Sequence, residues 1–176
     1  MNQKALKTLE YNKILELLEG FATSSLGKQL CRDLKPLDNI VEIEAMQQET
    51  ADALSRVYQK GALSFSGVKD IRGSLKRLEI GSTLGTGELL AVCTLLENTN
   101  RAKAYSRREN QEDTPDSLDS MFEILQPLTP LSLEIRRCIL SEEEIADDAS
   151  PALRQIRRTM KNTNDKIHSQ LSSYVS

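Results

Sequence analysis

The stretch Ser150-Pro151-Ala152-Leu153-Arg154-Gln155-Ile156-Arg157-Arg158-Thr159-Met160, continuing without glycine or proline through Lys161, Thr163, Lys166, Ile167, His168 and Leu171 to Tyr174, decides the fold class. Serine at an N-cap accepts a hydrogen bond from a free first-turn amide, and proline at the next position loses nothing by lacking one. Leu153, Ile156, Met160, Thr163, Ile167, Leu171 and Tyr174 then recur at 3-4-3-4-4-3 spacing. That is the seam of a coiled-coil-like helix. The chain stops at Ser176 without a breaker, so the reading expects a truncated piece whose helix runs on. Its packing residues are expected to be Leu153, Ile156, Met160, Ile167 and Leu171, covered by other helices of the same chain or of a second copy.

The rest of the chain agrees with an all-α fold. Leucine occurs 26 times and valine only 5, tryptophan is absent, and Phe and Tyr together number seven. This composition favours helix over strand. It also leaves few aromatic rings on which bases could stack. Residues Leu6, Leu9, Ile14, Leu17, Leu18 and Phe21 form one apolar stripe with Gly20 as its stop. Ser24 or Ser25 caps a short helix closed before Pro36. Asn39 with Glu42 three residues on starts a helix of about five turns along Ile43, Met46, Thr50, Ala53 and Val57. Gly61 and Gly67 mark a loop, and Asp70 to Leu78 a short helix. Thr86 caps a long helix with Glu88 in its first turn and Leu89, Cys93, Leu96 and Asn100 on its buried face. The acidic run Glu109 to Asp119 is expected to be a solvated loop. A short helix over Ser117 to Gln126 and another from Thr129-Pro130 follow. Glu142 to Asp148, again with five acids and no base, is expected to be a surface loop or short hairpin. The domain expectation is a multi-helix core over 1–149 and a long helix from 150.

The chain has 176 residues with apolar residues at 39% and charged ones at 28%, a globular balance. No apolar run is long enough to span a membrane and the first residues do not form a signal peptide, so a cytoplasmic protein is expected. Cys31, Cys93 and Cys138 are too far apart for a zinc motif and odd in number for a disulfide framework, so all three are expected to be small buried hydrophobes. No Gly-x4-Gly-Lys-Ser/Thr phosphate loop exists; Gly20 to Gly27-Lys28 has the wrong spacing and Gln29 where a hydroxyl is needed. The one histidine, His168, has no partners for a catalytic constellation. No catalysis, cofactor or metal is assigned to this chain.

Charge is the uneven property. From residue 150 onward five bases, Arg154, Arg157, Arg158, Lys161 and Lys166, oppose one acid, Asp165, so of the total of −3 the first 149 residues carry −7. Arg154, Arg157, Arg158 and Lys161 stand at i, i+3, i+4 and i+7, one helix face that can track phosphates. The competing reading pairs them with acids on the body. Arg101, Lys103, Arg107 and Arg108 form a second, weaker basic patch.

Several ordered segments carry a resemblance: Leu6-Lys7-Thr8-Leu9-Glu10-Tyr11-Asn12-Lys13-Ile14-Leu15, Ala22-Thr23-Ser24-Ser25-Leu26-Gly27-Lys28, Leu34-Lys35-Pro36, Gly67-Val68-Lys69-Asp70-Ile71-Arg72 onward to Gly81, Leu84 to Leu90, and Asp148-Ala149-Ser150-Pro151-Ala152-Leu153-Arg154-Gln155-Ile156-Arg157. In this order they resemble the N-terminal region of the second bacterial branch of the MutS family, the Smr-containing MutS-II proteins. The resemblance covers residues 1 to about 170. It implies a helical core leading into a lever helix that runs out to a clamp. It also implies an ATPase domain and an endonuclease-like Smr domain that this chain does not contain, with ATP and Mg as the parent's cofactors. Implied partners are DNA, in branched-DNA binding and suppression of recombination, or the ribosome with its rRNA, in splitting collided ribosomes. The chain's own ATPase domain and a second copy in a homodimer are implied as well, and no membrane. The role implied here is mechanical coupling and scaffolding. The alternative is a free-standing helical interaction module whose stripe binds a partner helix.

Overall fold

The computed structural model describes residues 3–107 and 114–175. Among them the order is α1 (Gln3–Thr8), α2 (Tyr11–Phe21), α3 (Ser25–Asp33), α4 (Ile40–Lys60), α5 (Arg72–Glu79), α6 (Thr86–Tyr105), α7 (Asp119–Glu123), α8 (Thr129–Cys138) and α9 (Pro151–Val175). The described residues hold no strand, only an isolated antiparallel bridge between Ile139 and Ile145. The fold is all-α.

Caps set most boundaries as the sequence indicates. Ser24 accepts from the Gly27 amide and Asn39 from the Val41 amide, while the Asn39 side chain donates to Glu42. The Leu153 amide donates to Ser150 Oγ at 3.1 Å, opening α9. Other boundaries differ: the cap of α6 is Gly85 rather than Thr86, that of α8 is Leu128 rather than Thr129, and the helix expected over Ser117 to Gln126 is confined to Asp119–Glu123. The stripe from Leu6 to Phe21 is not one helix, because Glu10 turns left-handed (φ 54°) and separates α1 from α2. The apolar phase runs through that break, so periodicity cannot reveal it. The fifth helix begins at Arg72, since the Asp70 side chain accepts from the Arg72 amide and holds the entry turn open.

The core sits between α6 and α8. Cys93 has no exposed surface and packs with Ile135 and Ile139, backed by half-buried Leu89, Leu90, Val92 and Cys138. From Thr86 to Thr99 every residue of α6 is at least half-buried, so this helix is surrounded rather than one-sided. Asn100, expected on the buried face, is exposed; Asn98 and Ala102 are buried instead. The Asn98 side chain is satisfied within its own helix, donating to the Thr94 carbonyl at 2.8 Å. Of the three cysteines only Cys93 is fully buried, and burial followed by the Glu97 charge pushes its thiol pKa up; Cys31 and Cys138 are half-exposed.

Elsewhere α2 packs on α3, and Arg32 forms a two-pronged pair with Glu19 across them. The end of α4 is held by polar contacts. Arg56 binds Asp116 and Asp119, Lys60 donates to the Arg107 carbonyl, and Asp52 accepts from Ser117. The second half of the acidic run is therefore an anchor rather than a solvated loop; residues 108–113 lie outside the described residues.

The whole is open. The accessible surface is 13793 Å². A compact monomer of 19.7 kDa exposes about 8,600 Å² by the usual scaling. Phe21, 84% exposed, and Ile80, Ile124, Leu30 and Leu133 are among the large apolar side chains left uncovered.

Candidate nucleic-acid interface and packing face

The candidate interface is built on α9 and the segment that launches it. After α8 the chain makes a tight acidic hairpin. The Ala146 amide donates to the Cys138 carbonyl at 2.8 Å and the Leu140 amide to the Glu144 carbonyl at 2.9 Å, around the Ile139–Ile145 bridge. Ala146 points inward and is buried. The hairpin is braced on three sides. Thr86 Oγ1 donates to the Glu142 carbonyl at the start of α6. From α8, Arg137 donates to the Asp148 and Ala149 carbonyls at 3.0 and 3.2 Å. From α9, Arg157 donates to the Ile145 carbonyl at 2.8 Å and pairs with the Asp147 carboxylate. Arg154 lies 3.5 Å from Asp148.

The five expected phosphate-facing bases therefore divide. Arg154 and Arg157 are engaged by hairpin acids, while Arg158, Lys161 and Lys166 are exposed with no ion pair among the described residues. His168 is exposed and contributes only its carbonyl, to Ser172. The weaker patch is engaged elsewhere. Arg101 binds Asn98, Lys103 donates to the Phe122 and Glu123 carbonyls, and Arg108 lies outside the described residues.

Of the expected packing residues, Leu153 is half-buried against the body. Ile156, Met160, Ile167 and Leu171 are exposed, Ile156 by 56%. Among the described residues no other helix covers the stripe beyond Leu153, which leaves a second copy as the other expected cover. The hairpin takes up the polar side of the α9 root as far as Arg157, and after about two turns the helix has left the body. An Ile156→Asp change in this chain alone therefore costs under about 1 kcal/mol, because the new carboxylate stays hydrated. Urea unfolding of the two proteins checks this.

The feature that sequence reading missed is Arg56. It is 8% exposed, chelates Asp116 through Nε and Nη2 at 2.6 Å each, reaches Asp119 at 2.7 Å, and lies 5.0 Å from the Phe122 ring centroid. A polar cleft of about 570 Å³ opens beside it, lined by Gln48, Asp52, Lys60 and Ser117 among others. The cleft's carboxylates are held below the ordinary carboxylate range. Ser117 lowers the Asp52 pKa and Arg56 that of Asp116. The same direction holds for Glu19, Asp70, Glu97 and Glu134 beside arginines and for Glu88 beside Ser74. A general acid needs the opposite shift. Among the described residues no cluster of His, Cys, Asp and Glu is arranged to hold a metal ion, and no helix is long and apolar enough to cross a membrane.

The geometry is thus that of a small helical body with one amphipathic helix leaving it, and comparison with known proteins finds similar sequences inside much longer chains. No protein-family model matches it. Endonuclease MutS2 of Lachnoclostridium phytofermentans is 55% identical over 180 residues, covering 99% of this chain and 23% of the relative. The proteins of that name from Agathobacter rectalis and Lachnospira eligens are 49% and 43% identical, each over 99% of this chain and 22% of their own length. The chain spans less than a quarter of the curated relatives it matches, and over almost every residue it is similar to the corresponding part of proteins named endonuclease MutS2.

Proposed function

We propose that this chain is the core and lever root of a MutS2-type ATPase that acts on nucleic acid, with a mechanical rather than a chemical part in the work. The parent would act on branched DNA, limiting recombination, or on collided ribosomes. The observation that carries the reading is α9. It stands on a braced root and presents an apolar stripe on one side and bases on the other, with nothing among the described residues to cover the stripe beyond Leu153. A helix with that division of surface transmits displacement when a second helix lies along the stripe. The large exposed apolar surface of the body supports the same reading, since the remainder of a chain more than four times as long can cover it. ATP and Mg would be held by that remainder, because residues 1–176 contain no phosphate loop.

Amide hydrogen exchange on this chain and on the full-length Lachnoclostridium phytofermentans protein tests the proposal. Amides of residues 156–171 are expected to be at least tenfold more protected in the full-length protein. Their protection should change when ATP and Mg are added. Equal exchange in the two proteins, or no response to nucleotide, overturns the lever reading.

A further inference from the structure

We propose that the acidic hairpin is an electrostatic latch. Asp147 and Asp148 occupy in cis the guanidinium groups that a phosphate backbone would contact, so that binding of duplex nucleic acid along α9 and release of the hairpin from the helix root are coupled. The inference rests on the reading of α9 as a helix that works beside nucleic acid, and adds to it how that contact is gated.

Three observations carry it. First, the face is continuous but half-occupied. Arg154 and Arg157 are paired with Asp148 and Asp147, whereas Arg158 and Lys161 on the same face, and Lys166 beyond them, have no ion pair among the described residues. From Arg154 to Lys166 the bases span about 18 Å of helix, enough to follow several phosphates of one strand. Second, the pairs are exposed and therefore weak. The side chains of Arg154 and Asp148 retain 65% and 56% of their surface. Such pairs contribute little net stability and are screened by salt, so a polyanion can displace them. Third, the hairpin has other attachments. Its far end is tied to the first residue of α6 through Thr86 and Glu142, and Glu142 also packs against Gly87. Arg137 holds the Asp148 and Ala149 carbonyls from α8. Loss of the two carboxylate contacts would leave the root of α9 held to the hairpin by Arg157 on the Ile145 carbonyl, loosened without unfolding the hairpin, and displacement of the hairpin would reach the start of α6 through Glu142.

The test is fluorescence anisotropy with a labelled 20-base-pair DNA duplex and its RNA counterpart, across a salt series, on the 176-residue chain. Circular dichroism checks the fold of each variant. The Asp147→Asn/Asp148→Asn double variant is expected to bind about fivefold more tightly than the unaltered chain at low salt, with the difference shrinking as salt rises. Glu143→Gln/Glu144→Gln makes the same change in net charge at hairpin positions that pair with no base among the described residues, and is expected to gain less than twofold. Arg158→Ala/Lys161→Ala should weaken binding and reduce the salt slope by about 2 in either background. Preference for one duplex tells whether DNA or RNA supplies the phosphates. Equal gains in the two acid variants, or none in the first, overturn the latch while leaving the binding face standing. Absence of binding by every variant, or binding that ignores Arg158 and Lys161, overturns the face and the latch with it.

Discussion

Replacing Arg56 with Ala is expected to destabilise the chain by about 3 kcal/mol, more than the loss of any exposed charge in the molecule. The reason is what it leaves behind. Arg56 reaches across 60 residues of sequence to Asp116 with two hydrogen bonds of 2.6 Å, and to Asp119 with one of 2.7 Å. Asp116 and Asp119 are themselves largely covered, at 23% and 20% exposure. Removing the guanidinium strands two partly buried carboxylates beside each other. Breaking a buried pair from one side costs about 3–5 kcal/mol, and the partial exposure of the acids places this case at the lower end. The Phe122 ring also loses its cation. Arg56→Lys keeps the charge but not the planar fork, and should lose roughly half as much. A double-mutant cycle with Asp116→Asn, read by urea unfolding, should return a coupling above about 1 kcal/mol. Additive losses would show that the triad is not a unit.

The same triad fixes a pH dependence. The Arg56 guanidinium, more than any other group, holds the Asp116 carboxyl below its ordinary pKa. A carboxylate depressed in the folded state adds stability at every pH above its unfolded pKa of about 4, and that stability is lost as pH falls through the lower folded value. The chain with Arg56 should therefore lose stability below about pH 4 more steeply than Arg56→Ala, and the two should converge in acid. Parallel acid profiles from pH 7 to 2 would remove Asp116 from the account.

Arg56 also marks where sequence reading stops. Apolar periodicity places the α4 stripe through Ala53 and Val57, and the arginine between them carries no signal of burial. Its partners stand in an acidic run whose composition says solvent. A contact made of unlike elements distant in sequence leaves no local trace. Local chemistry is the opposite case. The caps at Ser24, Asn39 and Ser150 are written in two or three adjacent residues, and the structure makes all three hydrogen bonds. The α9 stripe lies between these cases. Its spacing is legible, but a period says that a face is apolar and not what covers it. Among the described residues nothing does beyond Leu153, because the hairpin occupies the other side of the root. The division of the basic face was equally hidden. The reading that pairs bases with body acids holds for Arg154 and Arg157 once Asp147 and Asp148 are placed, and Arg158, Lys161 and Lys166 stay without an ion pair among the described residues.

The second large effect is expected at Ile135. Ile135→Ala should destabilise the chain by about 3 kcal/mol, within the range for truncating a buried isoleucine. Leu133→Ala, two residues away and 64% exposed, should change it by less than about 0.5 kcal/mol. The contrast follows from where the little core there is lies. Ile135 is 7% exposed and packs with Cys93 and Ile139, where α6 and α8 meet closely. A molecule this open has few other apolar contacts with which to absorb a cavity, so the void stays unfilled. For a chain of this size the loss corresponds to roughly 6–12 °C in Tm. The consequence extends beyond stability, because α8 carries the hairpin. Ile139 bridges to Ile145, and Arg137 holds the carbonyls of Asp148 and Ala149 directly before Pro151. A loosened α8 is a loosened socket for α9. Hydrogen exchange should therefore rise at Leu140 and Ala146, whose amides close the hairpin, as well as along α8. If Ile135→Ala and Leu133→Ala cost the same, the packing of α8 on α6 is not what holds the body together. If Ile135→Ala destabilises but the hairpin amides keep their protection, the root of α9 is held by its own arginines rather than by the core beneath it.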